Sequence, residues 1–217
     1  DIRRNISAET LLVSVMFANN EIGTIQDIAE IGLITRAAGV FFHTDAAQAV
    51  GHIKIDVDAM NIDLLSASAH KFYGPKSVGA LFIRNRLPRV SVLPILHGGG
   101  QERNYRSGTL NVPGIVGMGV AAKHAKAEMA KRHQENLKKV ECLRNGIKKI
   151  CPEAVFHGHP VNRLVHNLNV ALPGVDNKWL SLKLKDYCFS TGSACSTSHD
   201  APSHVLLSLG LNPKEIS

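Results

Sequence analysis

The sequence has no apolar run long enough to cross a bilayer, and its first residues contain no hydrophobic core of a signal sequence. We therefore expect a protein of the cytoplasm or of an organelle matrix, with no membrane partner. Its 217 residues are sufficient for one large domain or two smaller ones. An apolar fraction of 44% and a charged fraction of 20% are ordinary for a globular protein.

Aromatic and acidic residues are also scarce. Aromatic residues make up 5% of the chain, and 25 lysines and arginines outnumber 18 acidic residues, which gives a net charge of +7. Most of this excess lies between Lys123 and Lys149, where nine basic residues are opposed by three glutamates. No aromatic residue in that stretch could stack on a base, so we predict a solvated helix face and no nucleic-acid partner. A docking surface for an acidic protein is the alternative.

Cysteine is sparse, and its spacing fits no zinc-binding motif. A chain of this length does not depend on disulfides, so we predict free thiols. Cys195 lies in a run of small residues, which suits a mobile nucleophile. The other cysteines, which we predict to be buried and inert, are Cys142, Cys151 and Cys188. Cys188 is expected in an apolar strand. His157 and His159 have no partnering cysteine or acid, and we predict no metal.

The amino-terminal half alternates between apolar strands and helical periodicity. Residues 11–17 form a nearly unbroken apolar run, residues 27–38 carry isoleucines at helical spacing, and residues 40–44 are mostly apolar again. This order predicts a strand, a helix and a second strand in a parallel unit. A further strand is predicted to close at residues 64–65, and another spans residues 80–84. The expected architecture is therefore an α/β fold with a mainly parallel sheet.

A long helix and several shorter elements make up the rest of the chain. The helix is predicted to begin near Pro113, to break once and to end near Ile150. Beyond it we expect a strand over residues 168–172 and helices over residues 178–185 and 205–209. This change to short elements indicates a second, smaller domain.

Lys71 is the most informative residue, because it lies beside Ser68 and His70 where an apolar run ends. Small residues before it let a ligand approach the backbone, and Gly74 turns the chain away. A lysine held in a pocket is suited to form a Schiff base with an aldehyde. A surface lysine that pairs with a carboxylate is the alternative interpretation of this motif alone.

Polar residues also follow the ends of the other predicted strands. Asn20, Asp45 and Gln48 occupy these positions, and ligands bind at the carboxyl ends of parallel strands. Together with Lys71 they are the groups that pyridoxal phosphate needs. Asp45 can keep the pyridine nitrogen protonated, while Gln48 and Asn20 can bind the ring hydroxyl oxygen. The serine and histidine beside Lys71 can donate to the phosphate. The alternative interpretation is that Asp45 caps a helix, Gln48 lies on the surface and Asn20 belongs to a turn.

Several ordered motifs resemble those of the cysteine desulfurases of the NifS/IscS type, within the aminotransferase class V group of pyridoxal-phosphate enzymes. The likeness runs essentially from end to end, and it includes a glycine-rich loop able to wrap a phosphate or a partner subunit. The motifs are NNEIG (residues 19–23), HTDAAQ (43–48), HKFYGP (70–75), GGGQER (98–103), RSGT (106–109) and STGSAC (190–195).

The resemblance implies the fold-type I architecture of pyridoxal-phosphate transferases, with a partial large domain over residues 1–129 and a partial small α+β domain over residues 130–217. It implies removal of sulfur from L-cysteine, which yields L-alanine and a persulfide on Cys195. Lys71 would hold the cofactor and move protons at the substrate carbon, with His70 nearby. The sulfur would pass to an acceptor or scaffold protein, for iron-sulfur clusters or other sulfur-containing cofactors.

The resemblance also implies a homodimer, in which Thr109 would reach the phosphate of the neighbouring subunit. Because family members extend further at both ends, it implies a fragment, which we expect to have little or no activity in isolation. Selenocysteine lyase shares the cofactor motifs and is the first alternative. An aminotransferase of the same fold would not need Cys195. An interaction module that docks through the basic helix is the non-enzymatic alternative.

Overall fold

The computed structural model describes residues 1–190 and 202–212, which fall into two compact units. The first unit comprises Asp1–Ala18 and Gln26–Arg132. The second comprises Asn19–Ile25 together with the described residues from His133 onward. The loop at residues 19–25 thus belongs to a different unit from the segments on either side of it.

The first unit is built around a four-stranded sheet with the order β1-β2-β3-β4. The strands are β1 (Leu12–Met16), β2 (Phe41–Asp45), β3 (Leu64–Ser68) and β4 (Gly79–Ile83). β1, β2 and β3 run parallel, and β4 pairs antiparallel with β3. The predicted α/β fold with a mainly parallel sheet is therefore confirmed. A short helix, α1 (Ile2–Asn5), precedes β1 and was not predicted.

Helix α2 (Ile28–Ala37) connects β1 to β2, where the spacing of isoleucines predicts it. Ile28 and Ile31 are buried on its inner side. The Asp27 carboxylate accepts a hydrogen bond of 3.2 Å from the Glu30 amide and so caps the first turn. Gly39, which follows the helix, has a φ of +68°. This conformation favours glycine and ends the helix.

β3 begins where the sequence predicted a strand to close. The expectation of a strand ending at residues 64–65 is wrong, since the strand continues to Ser68. The small residues after Leu65 pair with β4, with Ala67 opposite Ala80 and Ser68 opposite Gly79. A Cβ added at Gly79 would lie 2.5 Å from the Ala67 main-chain carbonyl oxygen, so this pairing requires glycine at position 79.

Helix α3 (Val112–Ile150) runs for 39 residues without interruption. The predicted break is absent, because none of the glycines within the helix takes a positive φ that would disturb its hydrogen bonds. Ala121 and Ala125 of α3 pack with Ala69 and Phe72 in a buried apolar cluster. Neither α3 nor any other helix in the described part of the chain is long and apolar enough to cross a membrane.

The second unit contains a two-stranded antiparallel sheet, formed by β5 (Val155–His157) and β6 (Asn169–Ala171). Two short helices follow, α4 (Asn177–Lys183) and α5 (His204–Ser208). The strand and both helices predicted for this part of the chain are confirmed close to their expected bounds. β5 was not predicted.

The cysteines of the described residues are less buried than predicted. Cys142 and Cys188 are exposed and Cys151 is half-buried, and all three thiols are free. The prediction that they are buried is wrong, because Cys142 lies on the solvent side of α3 and Cys188 follows α4 in a segment that forms no strand. The free-thiol prediction is confirmed for these three. Cys195 lies outside the described residues.

A buried ion-pair cluster joins the segment before β3 to the residue after β4. Asp63 is 2% exposed, and it accepts hydrogen bonds from the Phe42 amide over 3.0 Å and from the Arg36 guanidinium over 3.1 Å. The Arg84 guanidinium lies 3.2 Å from the same carboxylate and donates to Asp58 over 2.6 Å. Its other hydrogen bonds go to two main-chain carbonyls before β3. The cluster therefore ties α2, β2 and the two ends of the β3-β4 pair together.

Replacing Gly32 with alanine is expected to destabilise the first unit by about 2–3 kcal/mol, the cost of overpacking a tight contact. Gly32 is buried in α2, and an added Cβ would lie 2.0 Å from the Met60 carbonyl oxygen. The matched control is Gly119→Ala in α3, where nothing lies within 4 Å of the added Cβ and a gain of up to about 1 kcal/mol is expected. Denaturant unfolding of both variants tests this, and equal effects would contradict the contact.

Candidate active site at the carboxyl ends of the strands

Lys71 lies on a short 3-10 helix (Ala69–Phe72) that follows β3 directly. The residue is half-buried, and its main-chain carbonyl accepts a hydrogen bond of 3.2 Å from Nε2 of His52. Tyr73 ends the helix with a left-handed φ of +68°, and the amide of Gly74 donates to the Ala69 carbonyl over 2.9 Å. The turn predicted after Lys71 is therefore present, and it holds the lysine at the end of the strand.

Asp45 is the last residue of β2 and pairs with Ser66 of β3. Its side chain is exposed, and one carboxylate oxygen accepts a hydrogen bond of 2.9 Å from the Ala47 amide. Gln48 lies half-buried in the turn that follows. Because β2 and β3 are parallel neighbours, the structure brings Asp45 to the same edge of the sheet as the Lys71 helix.

Ser68 and His70 flank the start of the helix that carries Lys71. The Ser68 hydroxyl and Nδ1 of His70 are 3.2 Å apart, so one donates a hydrogen bond to the other. Both residues keep access to solvent, with His70 exposed and Ser68 half-buried. A hydroxyl and an imidazole held side by side can both donate to an anion. Together these two residues provide donors suited to a phosphate at the end of β3.

Asn20 lies in the loop of residues 19–25 and belongs to the second unit. The side-chain amide of Asn167 donates to the Asn20 carbonyl over 3.3 Å. Arg163 donates to the Ile22 carbonyl over 3.4 Å, and burial lowers the pKa of its guanidinium from the usual value. A Cβ added at Gly23 would lie 2.9 Å from Asn167 Oδ1, so the loop is packed closely against the segment before β6. The main chain at Asn20 is therefore held within the second unit.

Two further site residues are predicted from the sequence, Thr109 and Cys195. Thr109 lies exposed in the segment that precedes α3. Cys195 falls outside the described residues, so the structure gives it no position. Among the residues that the structure does describe, no three or more histidine, cysteine, aspartate or glutamate side chains are grouped to hold a metal ion.

Sequence reasoning missed two contacts that hold the Lys71 helix. The first is His52, which binds the Lys71 carbonyl. The second is Arg132, whose guanidinium lies 4.6 Å from the centre of the Tyr73 ring and is bound by Glu128 over 2.6 Å and 2.9 Å. This hydrogen bond lowers the pKa of Glu128 from its usual value. The spacing of four residues between Glu128 and Arg132 could have indicated their pairing, but no sequence signal indicated the ring contact or His52.

The family model described as Aminotransferase class-V matches residues 1–215. A cysteine desulfurase IscS of Methanosarcina thermophila is 50% identical over 218 aligned residues, which cover 100% of this chain and 53% of the relative. A second cysteine desulfurase IscS, of Tolumonas auensis, is 52% identical over 209 residues, covering 94% of this chain and 50% of the relative.

Solved structures give the same result. A structure titled NifS-like protein superposes with a TM-score of 0.86 at 33% identity, covering 99% of this chain and 56% of the other. DndA from Streptomyces lividans superposes with a TM-score of 0.83 at 37% identity, covering 100% of this chain and 61% of the other. The resemblance to NifS/IscS-type proteins is confirmed.

The chain spans about half the length of the curated relatives it matches, 53% and 50% for the two named above. Within that span the similarity is continuous, since the family model matches from residue 1 to residue 215. The chain therefore belongs to the aminotransferase class-V family.

Proposed function

We propose that this chain supplies the cofactor-binding and sulfur-transfer residues of a cysteine desulfurase, which converts L-cysteine to L-alanine and transfers the sulfur to Cys195 as a persulfide. The observation that carries the proposal is the placement of Lys71 and Asp45 at the ends of two neighbouring parallel strands. The identity of about 50% to proteins named cysteine desulfurase adds the chemical class.

The donor set at the strand ends fits pyridoxal phosphate. Lys71 provides an amine for the aldehyde, and Asp45 provides an exposed carboxylate whose second oxygen can accept from a protonated ring nitrogen. Ser68 and His70 provide adjacent donors for the phosphate. Gln48, in the turn after β2, provides an amide for the ring hydroxyl oxygen. We assign Asn20 the same role as Gln48 from its position after the first strand in the sequence, and Thr109 a contact with the phosphate of the neighbouring subunit from the motif resemblance.

The protein residues have distinct tasks in the proposed reaction. When bound, pyridoxal phosphate supplies an electron sink that weakens the bonds at the substrate carbon. Asp45 stabilises the charge on which that sink depends, because a carboxylate favours the protonated form of a neighbouring ring nitrogen. Lys71 moves protons at the substrate carbon, with His70 as the nearest titratable neighbour in sequence. The half-buried position of Lys71 reduces the competition from water for its amine.

Cys195 performs the sulfur transfer in this proposal. Its thiolate attacks the sulfur of L-cysteine, so that a sulfur–sulfur bond forms as the carbon–sulfur bond breaks. The electron pair of the broken bond and one proton end on carbon, which becomes the methyl group of L-alanine. The carbon is reduced and the transferred sulfur is oxidised to the sulfane level, so no external oxidant or reductant is required.

The partners proposed for the reaction are L-cysteine, a second copy of the chain and a protein that accepts the sulfur. The homodimer and the acceptor rest on the motif resemblance, and the acceptor would use the sulfur for iron-sulfur clusters or other cofactors. A location in the cytoplasm or in an organelle matrix rests on the sequence prediction.

A single-turnover experiment tests the function. The full chain is mixed with pyridoxal phosphate and one equivalent of L-cysteine, and L-alanine and protein persulfide are measured. For whatever fraction of the L-cysteine the chain converts, we expect equal amounts of both products, with the persulfide on Cys195 by peptide mass spectrometry. Cys195→Ser should form no persulfide, whereas Cys188→Ser, which alters an exposed thiol in the same region, should match the wild type.

Two outcomes would contradict the proposal. Conversion of L-cysteine by Cys195→Ser at the wild-type rate would indicate an aminotransferase-like reaction that does not need this thiol. Turnover of L-selenocysteine with none of L-cysteine would indicate a selenocysteine lyase.

A further inference from the structure

We propose that His52 is a positioning residue for Lys71, which it holds through the main-chain carbonyl of that lysine. The inference rests on the function proposed above, in which the Lys71 amine reacts with an aldehyde. His52 lies seven residues beyond Asp45, at the end of the turn that contains Gln48. It therefore connects the segment that follows β2 to the segment that follows β3.

The chemistry of the contact determines which imidazole nitrogen of His52 carries the hydrogen. Nε2 of His52 lies 3.2 Å from the Lys71 carbonyl oxygen, and a carbonyl can only accept a hydrogen bond. Nε2 must therefore carry the hydrogen. The His52 amide in turn donates to the Ala49 carbonyl over 2.9 Å, so the main chain that carries the imidazole is itself held in a turn.

Packing beside Lys71 leaves little freedom for the helix that carries it. Phe72 is 1% exposed and belongs to the buried cluster with Ala121 and Ala125 of α3. Gly51 lies against it so closely that an added Cβ would be 2.6 Å from the Phe72 Cβ. The residues on either side of this contact, His52 and Lys71, are the ones joined by the hydrogen bond. The apolar contact and the hydrogen bond thus hold the same two segments together.

The fixed main chain limits the number of positions that the Lys71 amine can occupy. A lysine side chain has four rotatable carbon–carbon bonds, and a moving main chain would add to its range. A fixed carbonyl restricts the starting point of the side chain, and so favours the orientation in which the amine meets an aldehyde bound beside Asp45. His52 contributes to the reaction of Lys71 without touching the ligand.

Two substitutions with side chains of similar length separate the effect of the hydrogen bond from the effect of side-chain volume. His52→Gln keeps an N–H donor, whereas His52→Met has none. The full chain is treated with pyridoxal phosphate and cyanoborohydride, and the rate of labelling at Lys71 is measured by peptide mass spectrometry, with the exposed Lys76 as the internal reference. We expect the Met variant to be labelled about fivefold more slowly at Lys71, the effect of losing one hydrogen bond, and the Gln variant to remain within about twofold of the wild type.

Hydrogen exchange provides a readout that does not depend on the cofactor. Amide exchange across residues 69–74 should be faster in the Met variant than in the Gln variant, with the rest of the first unit unchanged. Equal exchange and equal labelling in the two variants would overturn the role of His52. Labelling of wild-type Lys71 no faster than Lys76 would count against the proposed function, and the exchange comparison would still decide the role of His52.

Discussion

Replacing Arg84 with methionine is expected to lower the free energy of unfolding by about 3–5 kcal/mol, the usual cost of removing one partner of a buried ion pair. The Arg84 side chain is 8% exposed, and the Asp63 side chain beside it is 3% exposed. Methionine fills much of the volume but donates no hydrogen bond. It leaves the Asp63 carboxylate buried with less compensation and removes the donors of two main-chain carbonyls.

Arg89→Met is the matched control, because Arg89 is exposed in the segment just after Arg84 and its loss should change stability by less than about 0.5 kcal/mol. Arg84→Lys should lie between the two, since lysine keeps the charge but not the planar arrangement of donors. Denaturant unfolding followed by circular dichroism measures all three variants. Equal midpoints for Arg84→Met and Arg89→Met would show that the buried cluster does not stabilise the fold.

The Arg84→Met variant should also change the pKa of the Asp58 carboxyl. A hydrogen bond from Arg84 lowers the pKa of the Asp58 carboxyl, and the charge of Arg84 acts in the same direction. A carboxyl whose pKa is lowered on folding stabilises the protein above its unfolded pKa, and this contribution is lost as the pH falls through the folded value. In Arg84→Met the pKa of Asp58 should rise toward its ordinary value, which NMR titration can measure. An unchanged Asp58 titration would contradict the pairing.

Replacing Lys71 with alanine is expected to leave only the slow labelling of exposed lysines such as Lys76 when pyridoxal phosphate is added and reduced with borohydride. It should also lower any cysteine desulfuration by at least about a thousandfold, within the range that a positioned proton-transfer group contributes. Only an amine forms the reducible bond with the aldehyde, and Lys71 is the lysine placed at the end of β3. Lys71→Arg should behave in the same way, because arginine keeps the charge but provides no reactive amine.

Lys76→Ala is the control for Lys71, since Lys76 is exposed and only five residues further along the chain. It should retain the label and the visible absorption band of the bound cofactor. Unfolding midpoints of the three variants should agree closely, because Lys71 makes its described hydrogen bond through the main chain. Labelling of Lys71→Ala above the level of its exposed lysines, or unchanged desulfuration in this variant, would refute the role of Lys71.

The candidate site was predictable where single positions in the sequence carry the information. Lys71, Asp45 and Gln48 follow apolar runs, and the ends of parallel strands lie at one edge of a sheet. In the structure Lys71 follows β3 directly, Asp45 ends β2 and Gln48 lies in the turn after β2. The end of β3 was predicted too early, because the small residues before Lys71 lack the large apolar side chains that indicate a buried strand, yet they pair with β4.

The sequence by itself determined the order of most strands and helices, the mainly parallel character of the sheet and the residue types at the strand ends, because these depend on periodicity and on neighbours along the chain. Only the tertiary structure decided which distant residues meet. His52 contacts Lys71 across 19 residues and Arg36 contacts Asp63 across 27, and the loop with Asn20 joins the second unit. Such contacts depend on how whole elements pack, and no local pattern encodes that.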